Sequence, residues 1–510
     1  MKTISLIIIF LIIFVGNLSA TRYYVDADYG NDSNSGKSES SSWQTLTNVN
    51  NPRPPFNAND TISFKCGTRI YGQTLIPPGS NLVFNSYGTG ARPVIDRNGD
   101  NPAYWRAEGT GDSLSAFDTT GSGGSCVDLI TNSRNNLIFN NIKFVRGFNG
   151  DITIWSCDYI TFESCNIDSA WQTYYKPGSP GMIYLGGDSA NPPHHITIRN
   201  CTLMYSRYGH GIYIDPVHQL LMEYDDISCN GSNGLQTLSA YISTPSLADV
   251  CYQDTIRYCK IRYNDKVHKG DFQIFDNSCQ NSAFYYNIIE ADTSDSANCT
   301  AIRIQNNYST PPRQVLWANN TIIMHGTGEA FDWGDQNTTG IDNITVKNNI
   351  IYLDNPAQYG MYFYGSVGSH NVITNNLYYY PAEGTRLFHS GPDDHIYDYP
   401  DISAWKTASY NFTTPAGGYE AGSITDPVNA TFDSSYSNLQ LKNGSNAVSK
   451  GVYLGLTQDI TGKHVSDPPD IGAYQNSIYL SGTLSANTTL NGNVAVTGNV
   501  TTPTNVTLTI

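Results

Sequence analysis

Charge is scarce in this chain of 510 residues, of which only 14% are Asp, Glu, Lys or Arg. What charge there is leans acidic, with 44 Asp and Glu against 28 Lys and Arg and a formal net charge of -16. DNA and RNA call for a clustered basic surface, so this balance speaks against both as partners, and against an anionic membrane surface. It does not exclude an acidic polysaccharide, because net charge reports mainly on solubility and a local basic patch can sit on an acidic protein. No CxxC pair occurs among the ten cysteines, which speaks against a zinc site or a thioredoxin-like motif. Beyond the N-terminus no apolar run is long enough to span a bilayer.

The N-terminus itself reads as a secretory signal. Lys2 supplies the positive end, residues 4–15 the apolar run, and Leu18-Ser19-Ala20 the small-residue cleavage site. The expectation is a signal peptide over residues 1–20, an exported or cell-surface protein, and no membrane span. Ten cysteines in an exported chain permit disulfides, yet several recur at like positions of successive repeats. They either bond in pairs or stack as small core residues.

What the chain does have is glycine (45), tyrosine (36) and recurring asparagine. One phrase returns along it: apolar alternation, then Asn or Cys, then more apolar residues. It reads LIFNNIKF from Leu137, YITFESCNI from Tyr159, HITIRNCTL from His195, VLWANNTII from Val315 and NITVKNNII from Asn343. Repeats at this spacing mark solenoids. Period-two alternation makes the repeated element a strand, and no amphipathic helix intervenes. Short strands joined by Asn- and Gly-rich turns predict the coils of a parallel β-helix, with Asn tolerating left-handed turns and stacking from coil to coil.

A further strand follows each phrase, for example IYID from Ile212, FQIF from Phe272, IRIQ from Ile302 and MYFY from Met361. Taking the larger apolar set as inward places Ile152, Ile183, Ile212, Leu235, Phe272, Ile302, Phe331 and Met361 in the core. Thr153, Tyr184, Tyr213, Gln236, Gln273, Arg303, Asp332 and Tyr362 then form one outward column. The predicted organisation is an N-terminal cap with first coils over 21–125, central coils over 126–384, last coils with a C-terminal cap over 385–475, and an uncharged β-rich tail over 476–510. A monomer is expected.

Three stretches carry a family resemblance. YYVDADYGNDSNSG (residues 23–36), DTISFKCGTRIYGQTLIPPGS (60–80) and DITGKHVSDPPDIGAYQ (459–475) resemble the opening, first coils and closing motif of secreted right-handed parallel β-helix proteins of the pectate-lyase-like superfamily. The resemblance implies an all-β solenoid. It does not fix an activity, since the superfamily includes lyases, hydrolases, epimerases and surface proteins without catalysis.

Three functions follow as expectations. The first is a polysaccharide lyase on uronate-containing glycan, acting by β-elimination, with Arg303 gripping a carboxylate and Lys269 or His210 as base. The second is a non-catalytic glycan-binding or structural surface protein. The third is a glycoside hydrolase, for which Asp332 with Glu329 or Asp335 in GEAFDWGDQ supplies the two carboxyls. The same three acids are compatible with calcium, which takes oxygen ligands. Tyr184, Tyr213, Gln236, Gln273 and Tyr362 are the candidate sugar-binding residues, aromatics offering broad amphipathic faces. Against the catalytic reading of Arg303 stands a plain Arg303–Asp332 surface ion pair.

Overall fold

The structure, a computed structural model, describes residues 20–509 apart from 98–123, 131–133, 148–149, 171–180, 188–190, 208, 239–248, 267–271, 277, 292–298, 307–310, 335–340, 364–369, 381–385, 391–396, 407–419, 426–438, 442–444, 477 and 490–493. The expected signal segment therefore lies outside it, as do Lys269 and Asp335.

Two twelve-stranded sheets and one eleven-stranded sheet run the length of the solenoid. Each takes one strand from every coil in chain order, and neighbours pair in parallel. The exception is the last pair of the third sheet, Phe388–Ser390 against Tyr397–Tyr399, which is antiparallel. The repeated phrase is two strands, not one. In LIFNNIKF, Leu137–Asn140 belongs to the first sheet and Lys143–Val145 to the second. The strand that follows, here Ile152–Trp155, belongs to the third. This is a right-handed parallel β-helix, the architecture implied by the resemblance to the pectate-lyase-like superfamily.

A two-residue corner separates the first and second sheets, and its chemistry explains the phrase. The first corner residue has a left-handed backbone, as at Asn141 (φ 55°), Asn200 (φ 54°), Asn319 (φ 52°) and Asn348 (φ 58°). Asparagine adopts that conformation more readily than most residues. The second points inward and stacks on its counterparts. Asn287 donates its amide to Asn320 at 3.0 Å, Asn320 to Asn349 at 3.0 Å, and Asn349 to Asn376 at 3.2 Å. Each backbone N–H in this row donates to the next side-chain oxygen as well. In earlier coils Cys165, Cys201, Asp225 and Cys259 hold the same position. All ten cysteines are free thiols, so the stacking alternative stands and the disulfide alternative does not.

Inside, like stacks on like. Phe84, Phe139 and Phe162 stack at centroid distances of 5.0 and 4.8 Å, and further along the same column Phe284 and Trp317 stack at 3.9 Å. Adjacent parallel strands are about 4.8 Å apart, so a flat ring fills one layer and meets the next.

The C-terminal segment sits differently from the expected end cap. Residues 445–476 run along the side of the solenoid, where Asn319 donates to the Asp470 carbonyl, Ala473 to Thr321 and Gly472 to the Asn348 carbonyl. Ile460, Val465, Ile471 and Ala473 cover Tyr286, Ile350 and Tyr352, which form a second apolar cluster outside the barrel of coils. Those outward aromatic and branched side chains need a cover, and the closing motif supplies it. In the tail, Ile478–Thr483 pairs in parallel with Val494–Thr501. Among the described residues no helix is long and apolar enough to cross a membrane.

The corner row makes a stability prediction. Asn320→Leu strands the amide and backbone N–H of Asn287 and removes the donor to the Phe284 carbonyl. Urea unfolding is expected to show a loss of about 2–4 kcal/mol, and a loss within experimental error would mean the row is not stabilising.

Candidate active site

The outer face of the third sheet carries the expected column, with one correction. Register pairs Tyr184 with Tyr213, Tyr213 with Gln236, Gln236 with Phe275, Phe275 with Arg303, Arg303 with Asp332, and Asp332 with Tyr362. Gln273 is not in it. It is fully buried and turned to the inner polar row, where its side chain bonds Asn264 at 2.9 Å. Phe272, expected in the core, lies on the outer face with its ring 5.2 Å below the Arg303 guanidinium.

The reason is a break in the period of two. Ala301 and Ile302 are consecutive buried residues, and so are Ala330 and Phe331. The position before each inward hydrophobe is small in most coils: Gly211, Gly234, Ala301, Ala330 and Gly360. Gln273 occupies that slot in its own coil. The double inward step brings residues three apart onto the same outer face. Phe272 and Phe275 have ring centroids 5.1 Å apart, Tyr359 and Tyr362 5.3 Å, and His210 and Tyr213 5.4 Å. A second outward column thus runs beside the first through His210, Asn233, Phe272, Thr300, Glu329 and Tyr359.

Glu329 and Asp332 stand side by side in these two columns. Asp332 is 7% exposed and its Oδ2 lies 3.0 Å from Arg303 Nη1. Burial pushes its carboxyl up to about 7, against the pull of Arg303 and with a smaller push from Glu329. Glu329 accepts a hydrogen bond from Thr300 Oγ1 at 2.6 Å. Burial raises its pKa too, while Thr300, Arg303 and His389 oppose the shift. Arg303 also donates to Gln305 at 2.8 Å, so both sides of its guanidinium are engaged.

His389 was missed in the sequence. It extends the first column one coil beyond Tyr362, stacking on that ring at 4.1 Å and 7°. Its Nδ1 meets Asp398 at 2.9 Å, and its Nε2 is buried with no hydrogen-bond partner among the described residues. Arg386 ties the same Asp398 (3.3 Å) to the Tyr359 hydroxyl (3.2 Å). The sequence signal was weak, because the spacing to this coil is interrupted and FHS looks unlike the earlier strands.

At the other end of the face, Tyr184 donates to Asp215 at 2.6 Å and lies 6.2 Å from Trp155 and 5.7 Å from Tyr213. Burial raises the pKa of Asp215. His210 is mostly buried beside Tyr213. Gln236 accepts from Asn233 at 2.8 Å. The structure therefore brings together Tyr184, Tyr213, Gln236, Arg303, Asp332 and Tyr362 and adds Glu329 beside them. Of the three acids compatible with calcium, Asp332 faces the Arg303 guanidinium, Glu329 accepts from Thr300, and Asp335 lies outside the described residues.

No family model matches the chain. It is similar to a lacto-N-biosidase of Bifidobacterium longum subsp. longum, 29% identical over 98 residues. That stretch is 18% of this chain and spans only 6% of the curated relative's length. Among solved structures it is similar to a GH136 lacto-N-biosidase from Eubacterium ramulus, at 14% identity and a TM-score of 0.49 over 80% of this chain and 68% of that one. It is similar to the pectate lyase Pel9A at 15% identity and a TM-score of 0.43, over 90% and 97%. The surface adhesin PfbA of Streptococcus pneumoniae follows at 12% identity and 0.44, over 67% and 83%.

The Asp332 environment predicts a pH signature. The unfolded chain loses this proton near the ordinary value of 3.8 and the folded protein near 7. Between those values the folded state holds more protons, so stability falls as pH rises across that window, by up to about 1.4 kcal/mol per pH unit. Asp332→Asn is expected to flatten the urea midpoint over this range relative to the parent protein. Parallel profiles would show that Asp332 ionises normally.

Proposed function

We propose that the chain is a glycoside hydrolase that binds a carbohydrate across the outer face of the third sheet. One observation carries this reading: two carboxyl groups, Glu329 and Asp332, on the same face, both raised by burial, Asp332 to about 7 and Glu329 against the opposing pull of Thr300, Arg303 and His389. Glycosidases need such a pair, one protonated as acid and one ionised as base or nucleophile. Asp332 keeps its proton to about pH 7 and is the donor to the leaving oxygen. Glu329, held by Thr300 and facing Arg303 and His389, is the ionised partner. Three residues of strand separate their backbones by about 10 Å, and side chains can narrow that gap to the separations glycosidases use.

Aromatic rings flank the pair on both sides, Phe272 and Phe275 in the preceding coil direction and Tyr359 and Tyr362 in the following one. Such rings stack on the apolar faces of sugars while polar edges meet hydroxyls. Arg303 and Arg386 are both held by acids, Asp332 and Asp398. That leaves them poorly placed to grip a substrate carboxylate, and it favours a neutral sugar. The 98-residue likeness to a lacto-N-biosidase supports a glycosidase over a lyase.

Against the β-elimination reading stands the burial of one base candidate, His210, beside Tyr213; the other, Lys269, lies outside the described residues. The non-catalytic reading shares the aromatic face but gives no reason to hold a carboxyl near neutrality in the middle of it.

The test is hydrolysis of a panel containing an aryl lacto-N-bioside, neutral oligosaccharides and uronate polymers, followed by released reducing ends and by the ultraviolet absorbance of unsaturated uronates. Reducing ends without that absorbance are expected, with activity falling above about pH 7 as Asp332 ionises. Asp332→Asn and Glu329→Gln should each lower kcat by a factor of about 10²–10⁴. Unsaturated product would establish a lyase instead. Retention of a glycan with no product would establish a binder.

A further inference from the structure

Inside the coils that precede the carboxyl pair, two adjacent coils carry thiols and carboxyls at positions that most other coils fill with apolar residues. Cys251 and Cys279 are one coil apart, set by the bridge between Tyr252 and Gln280. The same bridge series puts Val217 before them and Pro312 and Ile341 after them. Asp254 and Ser282 are likewise paired, and their counterparts are Leu220, Val315 and Ile344. On the facing strand Asp276 stands next to Ile304 in the inward column. Elsewhere in the third sheet that column holds Ile154, Leu185, Ile214, Trp333 and Phe363, with the small polar Thr237 and Ser390 among its other members.

These substituents converge. One ligand atom each of Cys251, Asp254 and Cys279 lies within 4.8 Å of the other two, and all three residues are buried. Asp276 packs against Cys279. Its Oδ1 accepts from the backbone N–H groups of Ser278 (3.3 Å) and Cys279 (3.0 Å) and from Thr237 Oγ1 (3.3 Å). Its Oδ2 is buried and has no partner among the described residues. Asp254 spends Oδ1 on the Leu220 N–H at 2.9 Å. Two carboxyl groups gathered at one point of an apolar core, one oxygen of Asp276 without a partner among the described residues, are costly unless something binds them.

We propose that Cys251, Cys279 and Asp254 form a buried three-residue site for a zinc-class divalent cation that fastens two neighbouring coils, with Asp276 packed beside it. Two sulfurs and a carboxylate oxygen suit a borderline-soft ion with tetrahedral preference, and not calcium or magnesium, which take oxygen alone. The thiols and the Asp254 carboxyl give up their protons to the ion, and the cation supplies the charge that the surrounding apolar side chains cannot. The site lies inside the coils, so the ion enters as the chain folds and its binding energy becomes folding energy. Loss of the glycosidase reading would leave this site untouched, because none of its residues faces the third-sheet surface.

The test uses the purified full chain. Elemental analysis is expected to find about one zinc per chain, and refolding with cobalt(II) is expected to give a thiolate-to-cobalt charge-transfer band. The Cys251→Ser/Cys279→Ser variant should lose metal and band, while Cys165→Ser, in a different inward row, should keep both. Asp254→Asn, nearly isosteric and able to fold if the double variant does not, should weaken cobalt binding at least ~10-fold, since it removes a charged ligand. It should also reduce the loss of thermal stability on adding a chelator. Zinc-free protein without the band would overturn the proposal. So would a band that survives in the double variant, or a peptide map showing Cys251 bonded to Cys279.

Discussion

A strand residue inside the solenoid has the same two neighbours throughout: its counterparts one coil before and one coil after, about 4.8 Å away. That single spacing decides which side chains a position accepts. A planar ring stacks on a planar ring, as Phe84, Phe139 and Phe162 do. An amide both donates and accepts along the axis, so Asn287, Asn320, Asn349 and Asn376 satisfy one another. A charge meets either its opposite or a cost, which explains why so little charge is used. Where ions do form columns they alternate, as Glu163, Arg199, Glu223 and Arg257 do along the outer face of the first sheet. Low charge and high Asn, the two oddities of the composition, are thus consequences of stacking.

The same rule makes exceptions informative. A column that changes character for one or two coils has to be compensated locally, because its neighbours cannot help. Asp225 replaces Asn in the corner row and is pushed well above the usual carboxylate range by burial, so it serves as a neutral hydrogen-bonding group. It accepts from the Cys201 N–H at 2.8 Å, the bond an Asn oxygen makes in later coils. Asp332 interrupts the outer column in a different way. It sits against Arg303, yet burial holds it near neutrality, and a carboxyl so placed is poised to exchange its proton.

The coil was legible in the sequence because its signals repeat. Asn and Cys at the corner, alternation on both sides and the outward Tyr184, Tyr213, Arg303, Asp332 and Tyr362 all recur with the period of the fold. What failed was a local break in that period. The assignment of Gln273 outward and Phe272 inward assumed strict alternation, and the extra inward residue before each core hydrophobe shifted both by one face. The small residues Gly211, Gly234, Ala301, Ala330 and Gly360 mark that step. They were readable as a column, but Gln273 hides the pattern in the one coil where it mattered. Glu329 was visible as an acid near Asp332, whereas its place beside Asp332 on one face depends on the same step. His389 was not legible at all, since its role comes from stacking on Tyr362 and from Asp398 on an antiparallel strand that no repeat announces.

The closing motif shows how resemblance and physics divide the work. The stretch from Asp459 to Gln475 resembled a terminal motif and was expected to close the end of the solenoid. The second sheet, however, turns Ile288, Ile323 and Ile350 with Tyr352 outward in three successive coils, and the corner residue Tyr286 joins them in a strip of apolar surface that would otherwise face water. The chain returns along that strip and covers it, using Ile460, Val465 and Ile471, and bonds its backbone to the corner residues Asn319 and Asn348. Among the described residues, the contacts of this returning segment named above go to the corner and the second sheet and not to the third. The second sheet's outer face is thus spent on stability, whereas the third sheet's carries the aromatic rings and the carboxyl pair, and this asymmetry is the structural reason to look for ligand binding there.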